Sequence, residues 1–135
     1  MRRKLRPVAR GSFQDQYILY QLLGERTREQ SISHKEMPTL SQHSDFVISD
    51  PYKVWNLIVV DHIVVGAVYL SKRNELGIAV FEAHRGHGHA RWALEEMMRT
   101  HTGPFLANVN PMNGASISLF ISLGFNLLQE TFCHE

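Results

Sequence analysis

The chain has 135 residues, 44% apolar and 20% charged, an ordinary globular balance that excludes a disordered or fibrous protein. Fourteen Lys and Arg against thirteen Asp and Glu leave a net charge of +1, without the basic excess of a dedicated nucleic-acid binder. The apolar run Leu57 to Val60 is far too short to span a bilayer, and the single Cys133 rules out an internal disulfide and fits a reducing, cytoplasmic compartment.

The length is that of one domain, residues 1–135. Met1 to Arg6 is basic, but Pro7 and polar residues follow, so no signal peptide is expected. Lys4 to Val8 reads as a short strand. Ser12 can cap a helix from Phe13, with Tyr17, Ile18, Tyr20, Leu22 and Leu23 at roughly helical period and Gly24 as its stop. A long polar connection runs to Pro38, and Thr39 can cap a second helix to about Ser49, with Leu40, His43, Phe46 and Val47 on one face. Tyr52 to Val60 and Ile63 to Ser71 read as a hairpin turning at Asp61-His62, and Glu75 to Phe81 as a third strand. Ala90, Ala93, Leu94, Met97 and Met98 mark an amphipathic third helix, which Thr102-Gly103-Pro104 stops. Phe105 to Val109 reads as a short strand. Asn110 to Gly114 opens a last helix that is apolar around much of its circumference, which suggests burial, and Phe125 to Phe132 reads as a final strand. The order β-α-α-β-β-β-α-β-α-β predicts a mixed α+β domain. Its sheet is mostly antiparallel, about six strands, flanked by four helices.

The strongest chemical signal is Arg85-Gly86-His87-Gly88-His89-Ala90, where a strand hands over to a helix. Glycine lets the backbone turn sharply and leaves no side chain between it and a ligand. The first amides of the helix lack internal partners, and with the helix dipole they suit a phosphate or pyrophosphate. Arg85 adds fixed positive charge. A dinucleotide fingerprint would need a third glycine where Arg91 stands, and a P-loop would need Gly-Lys-Ser/Thr. The segment fits R-x-x-G-x-G/A through Arg85, Gly88 and Ala90. The bare string also fits a glycine-rich helix start with no ligand.

A meander, this glycine loop on a helix, then strand–helix–strand resembles the GNAT superfamily of acetyl-CoA-dependent N-acetyltransferases. Asn113 to Phe125 is similar to that family's closing signature, N-x-x-[AS]-x-x-L-[YF]-x-x-x-G-F, with Ser116 at the small-residue position. The resemblance covers Tyr52 to Phe132. It implies a coenzyme A-binding half, 52–135, and an acceptor-side half, 1–51. It implies that the amides of Arg85, Gly86, His87, Gly88, His89 and Ala90 cradle the coenzyme A pyrophosphate. The backbone of Ile78, Ala79 and Val80 would pair with the pantetheine arm, while Asn108, Asn113 and Phe120 lie near its reactive end. A backbone amide near Ile78 to Val80 would serve as oxyanion donor.

The family often places a proton-donating tyrosine before x-x-x-G-F. Here that position is Phe120, with no acidic proton, and Ser116, Ser118 and Tyr69 are the substitutes within reach of the pattern. Three residues are candidates for the base that takes the amine's proton: Glu75 at the head of the third strand, His43 on the second helix, and His34 in the polar connection. Each has a plain structural alternative: a solvated hairpin end, a core histidine, an exposed loop residue. Of the eight histidines, His84, His87 and His89 crowd the glycine loop. Without a Cys pair or ligand spacing they are not expected to hold a metal, and protonated His87 and His89 would favour phosphate.

The expected activity is therefore transfer of an acetyl group from acetyl-CoA to a primary amine of a small molecule, in one ternary complex. Arg26, Arg28 and Lys35 against Glu29 favour an acceptor with phosphate or carboxylate, such as an amino-sugar nucleotide. The alternatives are a protein N-terminal or antibiotic-type amine, or a non-catalytic coenzyme A-binding protein. No nucleic acid or membrane partner is expected. The sequence stops after Phe132 where the family usually adds a strand, so a homodimer completing that edge is expected.

Overall fold

The computed structural model describes residues 1–26 and 36–135. Its elements are β1 (Arg3–Pro7), α1 (Phe13–Gly24), α2 (Leu40–Ile48), β2 (Val54–Val60), β3 (Ile63–Leu70), β4 (Leu76–Val80), a 3-10 turn (Glu82–His84), α3 (His89–Thr100) and α4 (Gly114–Ser122). The fold is mixed α+β. Its sheet runs β1-β2-β3-β4, antiparallel throughout.

The helix starts follow from local chemistry. Ser12 Oγ accepts from the Asp15 amide at the head of α1. At α2 the Thr39 side chain accepts from the Gln42 amide while Gln42 accepts from the Thr39 amide, a reciprocal capping box. Asn113 Oδ1 accepts from the Ser116 amide to start α4. Asp61 and His62 both have positive φ, which suits a two-residue turn between β2 and β3.

Alternation along the central strands sends successive side chains to opposite faces. Leu57 and Ala67 pack with Leu19, Leu22 and Val47 of α1 and α2. Ile58, Val68 and Leu70 pack with Ala93, Leu94 and Met97 of α3 and Phe120 of α4. The sheet is thus buried on both sides. A two-pronged ion pair fixes the first layer: Arg6 on β1 donates to both carboxylate oxygens of Asp15 on α1, at 2.9 and 3.0 Å. The apolar face read for α1 is only partly the buried one, since Phe13 and Tyr17 stack on each other at the surface while Asp15 and Gln16 turn inward.

The sheet has four strands among the described residues, not six. Residues 105–109 form no strand; Leu106 alone makes one parallel bridge to Glu75. Residues 125–132 do not pair. A strand needs a partner for its ladder, and the adjacent extended stretch does not offer one; Leu127 and Phe132 stay 80% and 90% exposed, so no burial fixes their register. The observed order is β-α-α-β-β-β-α-α. Burial of α4 is also less than its composition suggests, with only Phe120 buried and Ile121 63% exposed. No helix among the described residues is long and apolar enough to cross a membrane.

Candidate active site

The single bridge between β4 and residues 105–109 creates the site's first feature. The Leu76 amide donates to the Leu106 carbonyl at 2.7 Å, and the Leu106 amide to Asn74 at 2.9 Å. Beyond that point the two segments separate. On the other edge, Phe81 donates to Val65 of β3 at 2.8 Å. Backbone groups alternate sides along a strand, so the amides of Ile78 and Val80 face the unpaired edge, as Leu76 does. The Val80 carbonyl on that edge accepts from Arg85 Nε at 3.0 Å, which ties the arginine to the strand's end.

The glycine loop lies past this edge. Gly86 and Gly88 have φ of +82° and +80°, a left-handed backbone that glycine adopts without strain. Gly88 is the N-cap of α3. None of the amides from Gly86 to Arg91 finds a backbone acceptor among the described residues. A turn of unsatisfied donors at a helix start is a binding site for an anion. Nothing local in the sequence points to the residue that braces it. Arg3, at the start of β1, donates from Nη2 to the His87 carbonyl at 2.7 Å and from Nε to His89 Nδ1 at 3.1 Å.

That second bond corrects one expectation. His89 is buried and accepts at Nδ1, so its ring is neutral with the proton on Nε2. Burial first, then the charge of Arg3, lowers its pKa from the ordinary histidine value. His89 therefore braces the loop and offers no positive charge to a phosphate. His87 is exposed, with its ring 5.8 Å from that of His89. No three His, Cys, Asp or Glu converge as a metal group among the described residues.

The third feature is a cavity of about 540 Å³ between the helices and the open edge of β4. His43 and Phe46 line it from α2, Trp55 and Tyr69 from the sheet, and Tyr52 from the bend before β2. Ile78 and Ala79 of β4 line it, as do Asn108, Asn113, Ser116 and Phe120. Val80, Glu75 and the glycine loop do not. The fold thus brings His43 and Ile78 to one cavity. His34 lies outside the described residues, as do Arg28, Glu29 and Lys35; Arg26 lines the cavity.

Glu75 accepts a hydrogen bond at each carboxylate oxygen. One carboxylate oxygen accepts from Ser71 Oγ at 2.9 Å, and the other from the Asn108 side-chain amide. Ser71 Oγ also accepts from the Glu75 amide at 3.0 Å. The carboxylate holds the two diverging segments at their fork.

The cavity's aromatic wall depends on a glycine. The Tyr52 and Tyr69 rings stack at 3.8 Å and 9°. Tyr69 lies opposite Gly77 in the β3–β4 register, and a Cβ on Gly77 would fall 2.0 Å from the Tyr69 ring. Only a residue without a side chain lets the phenol lie across β4. Burial raises the pKa of both phenols, so both stay protonated donors at neutral pH.

No protein-family model matches the chain, and no curated protein matches it. Solved structures do: the fold is that of the GNAT acetyltransferases. A putative acetyltransferase from Salmonella typhimurium, YncA, solved with acetyl-CoA, superposes with a TM-score of 0.72 at 18% identity, over 93% of this chain and 80% of that one. An acetyltransferase from Thermus thermophilus gives 0.75 at 21% identity, over 96% and 90%. The spermidine/spermine N-acetyltransferase SpeG of Vibrio cholerae gives 0.67 at 19% identity, over 92% and 79%.

Proposed function

We propose that this protein transfers the acetyl group of acetyl-CoA directly to the primary amine of a small molecule. The observation that carries this is the unpaired edge of β4. It presents the Ile78 amide at the cavity and leads, through Val80 and Arg85, to the unsatisfied amides of the glycine loop. An amide-bearing arm ending in a pyrophosphate fits donors and acceptors spaced along a strand edge and then a helix start.

The roles follow from that placement. Amides of the loop from Gly86 to Ala90, with Arg85 beside them, bind the pyrophosphate. The strand edge over Ile78, Ala79 and Val80 carries the pantetheine arm through the outward-facing groups of Ile78 and the Val80 amide, with Asn108 and Asn113 beside its reactive end. The Ile78 amide faces the thioester oxygen and stabilises the negative charge it gains during attack. His43 is the base: it lines the cavity and takes the proton from the attacking amine as the C–N bond forms and the C–S bond breaks. Glu75 is a positioning residue that holds the fork. A coenzyme A thiol with a pKa near about 8.5 is a fair leaving group, which suits Phe120 at the acid's usual place.

Thiol release from acetyl-CoA with a panel of amines tests the activity, and thermal stabilisation by acetyl-CoA tests the binding. Phe120 favours one other reading, a coenzyme A-binding protein without catalysis. That protein would be stabilised by acetyl-CoA and release no thiol with any amine. A homodimer joined along residues 125–132 would cover the exposed Leu127, Leu128 and Phe132. Light scattering that gives a monomer mass at every concentration removes it.

A further inference from the structure

We infer that the acceptor is a small amine bearing a carboxylate beside an apolar or aromatic body. The inference rests on the acetyltransferase function proposed above, whose acceptor it specifies. Two chemically distinct groups of side chains line the cavity. One is apolar: Leu19 and Leu22 of α1 meet Phe46 and Trp55, whose rings stand edge-on at 6.1 Å and 74°. Trp55 is in turn held edge-on by Tyr52 at 4.7 Å and 85°. Such a rigid wall accepts a flat or branched hydrocarbon body with little ordering left to do.

The other group is polar and carries a cation: Arg26 lines the same cavity as the phenols of Tyr52 and Tyr69. The rings of those two phenols stack in parallel, at 3.8 Å and 9°. A guanidinium fork and two neutral O–H donors lining one cavity suit the charge and hydrogen-bonding needs of a carboxylate. The same guanidinium repels the further ammonium groups of a polyamine. Size narrows the choice again. The 540 Å³ must take the thioester end of the arm as well as the acceptor, and a nucleotide-linked sugar needs much of that volume for itself. His43 of α2 and Ile78 of β4 line this same cavity, so the acceptor, the base and the strand edge share one space.

The test compares matched pairs: L-phenylalanine with L-phenylalaninamide, L-tryptophan with its amide, and spermidine as the polycation. Thiol release from acetyl-CoA gives kcat/KM for each, on the native protein and on Arg26→Gln. Calorimetry on the coenzyme A-saturated protein gives binding of the same ligands without turnover. The free acid should exceed its amide by about tenfold or more, the worth of a charge-assisted hydrogen bond. Arg26→Gln should bring that ratio close to one while leaving the thermal shift with acetyl-CoA in place. Preference for the amide or for spermidine, or a ratio that survives Arg26→Gln, overturns the inference. Absence of thiol release with every amine overturns the catalytic reading instead. Calorimetry then decides the acceptor: tighter binding of the acid, lost in Arg26→Gln, supports the carboxylate site, and equal binding removes it.

Discussion

Arg3 donates its Nε proton to Nδ1 of His89 at 3.1 Å, joining residues 86 positions apart. The bond ties the first strand to the first residue of α3, and the arginine's other arm holds the His87 carbonyl between the two glycines. The unsatisfied amides of the loop are thereby fixed in place before any anion arrives, and preorganisation of this kind is what makes binding strong. Arg3→Ala should therefore shrink the thermal shift produced by coenzyme A, even though the backbone donors are all still present. It should also raise the pKa of His89, because a neighbouring charge that lowers it is gone. Carbon-13 or nitrogen-15 shifts of the imidazole followed against pH measure that change. The sign of the stability effect follows from the depressed folded value. The unfolded histidine takes a proton first, so stability falls as pH drops below about 6.5 and levels once the folded ring is also protonated. His89→Gln should flatten that part of the profile; an unchanged slope would remove His89 as its source.

Gly88→Glu should abolish the coenzyme A shift for a different reason. The new carboxylate adds a like charge at the phosphate position, and its Cβ sits at a φ of +80°, where side chains are strained. Urea unfolding separates the two effects, since strain lowers the midpoint and charge does not. A folded Gly88→Glu protein that coenzyme A still stabilises would move the pyrophosphate site elsewhere.

The wall of the acceptor cavity can be tested at Gly77. An alanine there puts a methyl group 2.0 Å from the Tyr69 ring, and the ring must leave its stack on Tyr52. Displacing a packed ring costs about 1–3 kcal/mol. Gly77→Ala should lower the unfolding free energy by that amount, read as a lower urea midpoint, and reduce kcat/KM for the amine. Retention of the full catalytic efficiency would show that the tyrosine stack does not shape the acceptor site.

What the sequence discloses and what it hides divide along one line. Ser12, Thr39 and Asn113 announce their helices because a cap is settled within four residues. The glycine loop is legible for the same reason: positive φ at Gly86 and Gly88 is a local demand. The six-strand expectation fails at 105–109 and 125–132 because a strand is defined by its partner, and composition does not carry the partner. Apolarity on many sides of α4 suggested burial, yet Ile121 faces outward, since burial depends on what packs against the helix. The site shows the same division. His43 on its helix face was visible from spacing. The stack of Tyr69 on Tyr52 over Gly77 depends on the register of three strands, and the reach of Arg3 to His89 on the whole fold. Glu75 and His43 are both candidate bases in the sequence, and the hydrogen bonds of Glu75 to Ser71 and Asn108 come only with the fold.

That contrast between Glu75 and His43 gives a direct comparison. His43→Asn should lower kcat by roughly a hundredfold or more, the usual contribution of a placed base, with the acetyl-CoA thermal shift retained. Glu75→Gln turns one accepted hydrogen bond into a clash of donors at the fork, for a stability loss of about 1 kcal/mol. Its kcat should change far less than that of His43→Asn. Thiol release and urea unfolding on the two variants decide the roles, and the reverse ranking of kcat would make Glu75 the base.

Loss of stability in acid should centre on the Arg6–Asp15 pair. Asp15 is buried, receives both arms of Arg6 and accepts from the Ala9 amide at 2.9 Å. Hydrogen bonding from Arg6 is the main reason its carboxyl titrates below the ordinary aspartate value. Arg6 keeps 38% of its side chain exposed, so solvent screens part of the attraction. Asp15→Asn should then cost about 2 kcal/mol near neutral pH, less than the loss from a fully buried pair. A depressed folded pKa contributes stability that is present above the unfolded value of about 3.9 and disappears as pH falls through the folded value. The gap between the native protein and Asp15→Asn should accordingly be constant from about pH 7 to pH 5 and close below about pH 4. Urea unfolding across that range measures it. A gap that stays open in acid would assign the stabilisation to packing around residue 15 and not to its charge.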